Sequence, residues 1–406
     1  MSKETTTNSS ISALNIDQTK IVLRHIINNN RFLQKQNKKA VAINIVGEAG
    51  LGKTSLIEQI AEEYNIHLVK KNLAQLPELG DLMGFPTIEY ELKHPDKEEL
   101  LWIGEKILKD FTRHDYRPTG NKRMGYCLPD WIVGKEEGGI LLLDDWTRAN
   151  PQFIQAVMEL IDRQTYGSWK LPNDWYVILT SNPDNGDYNV SSIDNAQKTR
   201  FVSVELKFDI KSWSVWAEYN QIDSRCINFL MNNKELVSQE INPRSITTFF
   251  NSISSIPDFE TSLKNNTLSK DLSLISMIGG GNVGPEFTRL FIEFINNKLD
   301  KLPSPEDILL GKDEDKIMKE LRKVIDSDND YRADIAWLIS TRISNYCGFY
   351  SKNNKISKDF LDRVTLLLTE NVFTVDLKNQ MAREINSHHD DFGQLFTGTL
   401  CELIYG

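Results

Sequence analysis

The chain has 406 residues and a net charge of −10, which disfavours broad non-specific binding to nucleic acid or to an anionic membrane. An apolar fraction of 40% with 26% charged residues is typical of a protein with hydrophobic cores, and this length predicts two or three domains. The polar start lacks a signal peptide, no apolar run approaches the roughly 18 residues of a membrane helix, and the four dispersed cysteines predict reduced thiols. These features predict a soluble, cytoplasmic protein.

The first predicted elements are a helix and a buried strand. Residues 1–12 are polar and are predicted to be disordered, whereas residues 16–36 carry apolar side chains at helical spacing. The apolar run VAINIV, residues 41–46, is rich in β-branched residues and predicts a buried strand. A helix therefore precedes the first strand of an α/β domain.

A glycine-rich stretch, VGEAGLGKTSL, follows that strand directly. Its spacing is G-x-x-x-x-G-K-[ST], the phosphate-binding loop of P-loop nucleoside triphosphatases. Glycines let such a loop curl with its N–H groups inward, and the helix predicted over 53–64 offers its positive N-terminus to phosphate. The lysine adds charge for the terminal phosphates, and the threonine hydroxyl can hold magnesium. The predicted nucleotide-binding residues are Gly47, Glu48, Ala49, Gly50, Leu51, Gly52, Lys53, Thr54 and Ser55.

Further strands and helices alternate along the chain up to residue 206. Apolar stretches predict strands at 67–73, 139–143, 175–180 and 201–206, which favours a parallel sheet with helices on both faces. Beyond this point the strand pattern fades, and an acidic, proline-containing stretch at 300–315 marks a second boundary. The predicted division is a tail and helix (1–36), a nucleotide-binding α/β domain (37–206) and two helical domains (207–299 and 300–406).

The stretch GGILLLDDWTRANP ends a predicted strand on two acids, Asp144 and Asp145. Open α/β sheets bind ligands at the carboxyl ends of their strands, so Asp144 is predicted to hold magnesium opposite Thr54. Asp145 would then polarise an attacking water. The alternative is that both acids only cap the following helix.

Three polar residues farther along complete the candidate set. Asn182 follows the strand at 175–180 and would emerge near the γ-phosphate, where it could orient the water. Arg200 directly precedes the strand at 201–206, and Arg244 begins a predicted helix in INPRSITTFF. Singly these signals are weak, because Asn-Pro is a common turn and either arginine could be an ordinary surface residue.

The order of these motifs resembles that of AAA+ ATPases, and within them the MoxR-type group. The resemblance covers about residues 40–255 and includes LPELGDLMGFP, LPDWI, ILLLDDWTRANPQFIQAVMELI, YGSWKLPNDWYVILTSNP and DNAQKTRF. WAEYNQIDSRCINFLMNNKELV resembles the lid start of relatives, several of them phage-encoded, that work with von Willebrand factor A-type partners. The implied fold is a P-loop AAA+ parallel sheet in the order 5-1-4-3-2, with a helical lid and an additional C-terminal helical domain.

The resemblance also implies ATP and Mg²⁺ as cofactors and a role for each matching residue. Lys53 and Thr54 would bind phosphates and magnesium, and Asp144 would coordinate the ion. Asn182 matches the sensor 1 position and Arg244 the sensor 2 arginine of the lid. YGSWKLPNDW resembles a β-hairpin inserted before sensor 1, and ELGDLMGFP resembles the start of a second insert that often faces the pore. Structural packing is the alternative for both inserts.

Arg200 matches the arginine finger, which reaches the nucleotide site of the neighbouring subunit and so implies a ring, usually a hexamer. One position departs from the family pattern, because Asp145 stands where relatives usually have Glu. The shorter side chain puts its carboxylate about 1.5 Å farther from the water, a displacement that is costly for catalysis.

Three functional readings follow. The leading one is a ring-forming ATPase that remodels a protein partner, with no membrane partner expected. The second is a nucleotide-gated binding module with negligible turnover, for which Asp145 is the main support. The third is a DNA-processing motor, which the acidic charge balance disfavours.

Overall fold

The computed structural model describes residues 13–96, 99–112, 115–135, 137–184, 194–296, 302–327, 330–388, 390 and 392–393. Its contacts divide the chain into two compact units, Met1–Lys207 and Phe208–Gly406, each of which is described by itself. Among the described residues, none of the helices combines the length and the apolar character needed to cross a bilayer.

The first unit alternates strands with helices. In chain order it contains β1 (Ala13–Leu14), α1 (Ile16–Lys35), β2 (Ala42–Val46), α2 (Lys53–Glu63), β3 (Leu68–Asn72), α3 (Gly80–Met83), β4 (Pro86–Lys93), β5 (Leu100–Gly104), α4 (Glu105–Thr112), β6 (Arg117–Tyr126), β7 (Gly139–Asp144), a 3₁₀ turn (Trp146–Arg148), α5 (Pro151–Arg163), β8 (Thr165–Tyr166), β9 (Trp169–Lys170), β10 (Trp175–Ser181), α6 (Asn195–Lys198) and β11 (Phe201–Leu206).

A six-stranded parallel sheet forms the centre of this unit, in the order β1-β11-β2-β10-β7-β3. The five strands predicted from sequence are present, and their order, 5-1-4-3-2, is confirmed. The structure adds β1 outside β11, where Leu14 lies opposite Leu206. Two residues are too short a stretch to show a strand pattern, so this edge strand could not be predicted.

Both faces of the sheet are covered by helices. Along β7, Leu141 and Leu143 point to the cluster that contains Val157 of α5. Ile140 and Leu142 point to the opposite cluster, which contains Ile57 and Ile60 of α2 among other residues. Successive side chains of a strand face opposite ways, so a strand covered on both sides is apolar throughout, as the sequence shows. These two layers hold the strand ends rigidly in place.

Two antiparallel elements are inserted along the chain between strands of the parallel sheet. Strands β5-β4-β6 form a separate three-stranded sheet between α3 and β7, and β8 pairs with β9 in a short hairpin. The hairpin falls in the stretch whose resemblance implies one. This three-stranded sheet was missed. Strand β6 is almost entirely exposed and polar, but Ile88, Tyr90 and Leu92 alternate with polar residues in β4 and were the available signal.

The second unit is almost entirely helical. It contains α7 (Ile210–Tyr219), α8 (Ser224–Asn232), a 3₁₀ turn (Lys234–Leu236), α9 (Pro243–Ile253), α10 (Phe259–Lys264), α11 (Leu268–Asn282), α12 (Pro285–Asn296), α13 (Pro305–Leu310), α14 (Glu314–Ile325), the strand pair β12 (Asp326–Ser327) and β13 (Asp330–Tyr331), α15 (Ala333–Asn353), α16 (Lys358–Thr369) and α17 (Val375–Asn386). One hydrophobic cluster includes residues from α7 through α17.

A buried arginine links the C-terminal helices of this unit to its first two helices. Arg342 of α15 donates to Glu218 of α7 at 2.6 Å, and to Asn228 and Ser224 of α8 at 2.8 and 3.0 Å. The Arg342 side chain is 2% exposed, so its charge depends on these partners. The pairing therefore fixes α15 against α7 and α8.

The glycine run at 279–281 corrects one expectation. The sequence GGGNVGPEF predicts a loop, yet these three glycines form the last turn of α11. A Cβ atom on Gly279 would lie 2.6 Å from Cγ2 of Thr288 and 3.0 Å from the Phe249 ring. The glycine is thus required by the close approach of α12, a contact that local sequence cannot show.

Two neighbouring glycines of α11 should respond oppositely to alanine. Gly280→Ala should stabilise the protein by about 0.5–1 kcal/mol, because this site is exposed, nothing lies near its Cβ position and alanine favours helix. Gly279→Ala should destabilise it by about 1–3 kcal/mol through overpacking against Thr288. Denaturant unfolding followed by circular dichroism measures both, with Gly280→Ala as the matched control. Equal effects of the two substitutions would contradict the close packing of α11 on α12.

Candidate active site

Three parallel strands bring the predicted site residues to one edge of the sheet. Val46 at the end of β2 lies opposite Ser181 of β10, and Leu143 of β7 lies opposite Leu179. The N–H group of Gly47 donates to the carbonyl oxygen of Ser181 at 3.1 Å. The glycine-rich loop, the two acids after Leu143 and the polar end of β10 therefore adjoin one another.

The loop after β2 has the backbone that phosphate binding needs. Gly50 and Gly52 have φ angles of 79° and 83°, in the left-handed region that favours glycine. Helix α2 begins at Lys53, as predicted, with Gly52 as its N-cap. The first N–H groups of a helix have no partners within it, so the N-terminus of α2 can donate to an anion. A side chain on Gly47 would also meet the carbonyl oxygen of Leu206 at 2.9 Å.

Lys53 lies inside this loop and is only 8% exposed. Its ammonium group donates to the carbonyl oxygens of Gly47 and Glu48 at 2.6 and 3.0 Å, and to Oδ1 of Asn182 at 3.1 Å. The sequence predicts a lysine that faces phosphate, and in the structure this lysine also links the loop to the residue that directly follows β10. Removing it therefore affects the loop as well as the charge.

Asp144 ends β7 between two hydroxyl groups. Thr54 Oγ1 donates to Oδ2 of Asp144 at 3.2 Å, and Thr180 Oγ1 donates to Oδ1. Carboxylate and hydroxyl oxygens are ligands that suit Mg²⁺, which usually keeps several waters and uses few protein ligands. Nowhere in the described ranges do three His, Cys, Asp or Glu side chains converge as a metal centre. The pair of Thr54 and Asp144 thus fits a magnesium ion shared with phosphate and water.

Asp145 follows with an unusual backbone. Its φ and ψ are 52° and 35°, and it precedes the 3₁₀ turn without a side-chain capping bond. Its two carboxylate oxygens instead lie 3.3 Å from Nδ2 of Asn182 and 3.8 Å from the guanidinium of Arg148. Asn150 is the N-cap of α5, so helix capping does not explain either acid.

Some residues of the site were missed by the sequence analysis. The Thr180 hydroxyl contacts both acids, because it also accepts the N–H of Asp145 at 3.3 Å. Asn44 in β2 is buried and accepts from Nε1 of Trp146 at 3.1 Å and from the Ser181 hydroxyl at 3.2 Å. A polar residue within an otherwise apolar strand was the available signal for Asn44, since buried polar groups need partners.

Arg200 lies at the amino ends of the parallel strands, at the end of the sheet opposite the candidate site. It directly precedes β11, whose first residue, Phe201, lies opposite Ala42 at the start of β2. Six residues of β11 rise roughly 20 Å towards the edge that carries Gly47. The exposed Arg200 side chain cannot span that distance, so the structure does not bring it to the site of its own chain.

Arg244 belongs to the second unit. It lies in the first turn of α9, where its N–H donates to the Asn242 side chain at 3.0 Å, and its own side chain is exposed. The structure thus brings together the loop from Gly47 to Ser55, both acids and Asn182 within the first unit. It does not bring Arg200 to them.

Replacing Lys53 tests the phosphate site. Lys53→Ala should lower the affinity for an ATP analogue by about 100-fold or more, because a buried charge-assisted partner of phosphate is lost. The measurement is titration with a fluorescent ATP analogue, alongside a melting curve that reports any loosening of the loop. Lys39→Ala is the control, since Lys39 is exposed and pairs with Asp162 on the surface. An affinity within a few-fold of the unmodified protein would contradict this site.

Comparison with known proteins finds a family match over the part of the chain that contains the candidate site. Residues 42–201 match the family model of the AAA domain, dynein-related subfamily. A curated relative, midasin from Giardia intestinalis, is 22% identical over 199 residues, which are 47% of this chain and 4% of midasin. The chain therefore spans only a small part of that protein's length.

Solved structures give distant similarities. A closed-state reconstruction of Hsp104 with ATPγS and FITC-casein is 17% identical, covers 50% of this chain and 36% of its own, and has a TM-score of 0.31. A RuvB variant from Thermotoga maritima is 12% identical, covers 77% and 76% of the two chains, and has a TM-score of 0.33. TM-scores this low carry no argument about function. The range that matches the AAA domain, residues 42–201, contains the glycine-rich loop, the two acids and Asn182 that lie together at one end of the sheet.

Proposed function

We propose that this chain hydrolyses ATP with Mg²⁺ at the edge formed by β2, β7 and β10, and uses the reaction within a ring to remodel a protein partner. The observation that carries the catalytic part is a chain of hydrogen bonds: Asn182 joins Lys53 to Asp145, and Thr180 joins Asp145 to Asp144. In this proposal the N–H groups from Gly47 to Ser55 and the Lys53 ammonium hold the phosphates.

Asp144 and Thr54 would hold the magnesium ion, which when bound neutralises charge on the phosphate oxygens. Asp145 would accept a proton from the attacking water, and Asn182 would orient that water. Asn182 contacts both Lys53 and Asp145, so phosphate that attracts Lys53 would also change the hydrogen bonds that hold Asp145. Aspartate tolerates the left-handed backbone at this position better than most residues, which offers a physical reason for Asp in place of the Glu of relatives.

Three substitutions separate the roles of the two acids. Asp145→Asn should keep nucleotide and Mg²⁺ binding but lower turnover by about 10²–10⁴, because an amide cannot accept the proton. Asp144→Asn should instead raise the Mg²⁺ concentration needed for half-maximal activity by about tenfold or more. Asp145→Glu should turn over faster if the native carboxylate stands too far from the water. Steady-state phosphate release against Mg²⁺ concentration measures all three, and full activity of Asp145→Asn would remove Asp145 from the mechanism.

The ring is proposed from Arg200. Its distance of roughly 20 Å from the phosphate loop of its own chain supports action on a neighbouring copy. Asp162 of α5 lies near enough for Arg200 to contribute to a lowered pKa of that carboxyl, although Lys39 is the main cause. Arg200 is exposed at the end of the sheet opposite the phosphate loop, available to a second subunit, and we propose that six subunits close the ring.

Mixing two inactive variants tests the ring. Arg200→Ala should bind ATP nearly normally but hydrolyse it about 10³-fold more slowly, because the γ-phosphate charge loses its partner in trans. Mixing it with Lys53→Ala should restore part of the rate, since an intact loop can then meet an intact Arg200. The measurement is ATPase rate against mixing ratio, at concentrations where assembly is verified. Absence of rescue in co-assembled mixtures would rule out action across an interface.

A nucleotide-gated binding module with negligible turnover is the second candidate. It is favoured by the contacts of Asp145, whose two oxygens are both engaged by Asn182 and Arg148 and whose side chain is one methylene short. Such a carboxylate would be poorly available as a base. A protein that binds ATP and Mg²⁺ tightly yet releases no phosphate would favour this candidate over an active ATPase.

The remaining assignments are proposals as well. We propose the MoxR-type group, a lid over 207–299 with Arg244 as its nucleotide sensor, a C-terminal domain over 300–406, and a von Willebrand factor A-type protein partner. A DNA-processing role is disfavoured by the net charge of −10. We also propose a cytoplasmic location, because Cys127, Cys226 and Cys347 are free thiols.

A further inference from the structure

The Thr180 hydroxyl is shared between the two acids of the site. Thr180 is the penultimate residue of β10 and is fully buried, at 0% exposure. Its Oγ1 donates to Oδ1 of Asp144 and accepts the backbone N–H of Asp145 at 3.3 Å. A single side-chain atom thus contacts the side chain of one acid and the backbone of the next.

The direction of these bonds is fixed by chemistry. A hydroxyl has one hydrogen, and an ionised carboxylate only accepts, so the Thr180 hydrogen must point to Asp144. The lone pairs of the same oxygen are then left for the N–H of Asp145. The Asp144 carboxylate is held from both sides, by Thr180 at Oδ1 and by Thr54 at Oδ2.

The second bond matters because of the backbone at Asp145. A left-handed conformation at a residue other than glycine is unfavourable and persists only where its surroundings fix it. Thr180 is one such fixing contact, and the side chain of Asp145 is aimed at Asn182 from this conformation. Losing the hydroxyl would release both the Asp144 carboxylate and the Asp145 backbone.

We propose that Thr180 is a positioning residue that sets the metal-binding carboxylate of Asp144 and the water-activating carboxylate of Asp145 at a fixed separation. The inference rests on the proposed function of those two acids. It predicts that Thr180 contributes to the coupling between Mg²⁺ and nucleotide, and not to nucleotide binding itself, which depends on the loop and Lys53.

Two substitutions of Thr180 should distinguish the effect of losing the hydroxyl from the effect of changing the side-chain shape. Thr180→Val keeps the volume but removes the hydroxyl, and should reduce the Mg²⁺-dependent gain in nucleotide affinity and the turnover number by about 10–100-fold each. Nucleotide affinity in EDTA should change less than about threefold. Thr180→Ser keeps the hydroxyl and should retain most of both properties. Thr180→Ala serves the same comparison if valine prevents folding.

Thr147, in the 3₁₀ turn just after Asp145, offers a matched control for Thr180. It is a second buried threonine, 2% exposed, and its Oγ1 has no hydrogen-bond partner among the described residues. Thr147→Val therefore makes the same chemical change beside the same acids without removing a bond. It should be neutral or slightly stabilising, with unchanged coupling, because an unpaired buried hydroxyl is costly.

The experiment measures the affinity for a fluorescent ATP analogue in EDTA and in Mg²⁺, together with melting temperature and phosphate release. The expected result is a reduced ratio of the two affinities in Thr180→Val, near-normal ratios in Thr180→Ser and Thr147→Val, and folded proteins throughout. An unreduced ratio in a folded variant without the hydroxyl would overturn the role of Thr180 while leaving the proposed function intact. A ratio of one in the unmodified protein would overturn the proposed Mg²⁺ site, and the role of Thr180 with it.

Discussion

The candidate active site depends on the parallel pairing of β2, β10 and β7. Their register sets Val46 beside Ser181 and Leu143 beside Leu179, so one polar segment follows each strand at the same edge. Each segment then contributes a different chemistry: donors from the glycine loop, carboxylates from β7 and the amide of Asn182. A slip of one residue would turn every side chain of a strand to the other face, so the apolar layers that fix the register also fix the site.

Polar contacts at the ends of the strands add to the arrangement that the strand register sets. Lys53 and Asn182 connect the loop to β10, and Thr180 connects β10 to both acids. Inside the sheet, Asn44 of β2 accepts hydrogen bonds from Trp146, which directly follows Asp145, and from Ser181 of β10. Buried bonds of this kind are costly to break, so they hold the two acids in place relative to the loop.

Much of this site could be predicted because its signals are local in sequence. The loop from Gly47 to Thr54 is defined by spacing alone, and the strands of the sheet are continuous apolar runs that ended within about two residues of prediction. The order of the strands needed the family resemblance, because no local pattern states which strands are neighbours. The edge strand β1 is too short to show a pattern, and β6 is exposed and polar, whereas the alternation in β4 was a signal that the sequence analysis missed.

The rest could not be predicted because it depends on contacts between distant parts of the chain. Asp144 and Thr180 are 36 residues apart, and only their adjacent strands reveal that one hydroxyl contacts both acids. Likewise, the glycine at 279 is explained by Thr288 of the next helix and not by a loop. Sequence identified the groups that carry chemistry, while the groups that orient them became visible only with the sheet assembled.

The central claim is that ATP bound at this edge is cleaved there, and a single-turnover experiment tests it most directly. Excess protein is mixed with ATP labelled at the γ-phosphate, first in EDTA and then with added Mg²⁺, and bound ATP and free phosphate are followed over time. The account predicts binding in both conditions and conversion of the bound ATP to ADP and phosphate only once Mg²⁺ is present. Bound ATP that persists intact in Mg²⁺, at concentrations where the protein assembles, would contradict it.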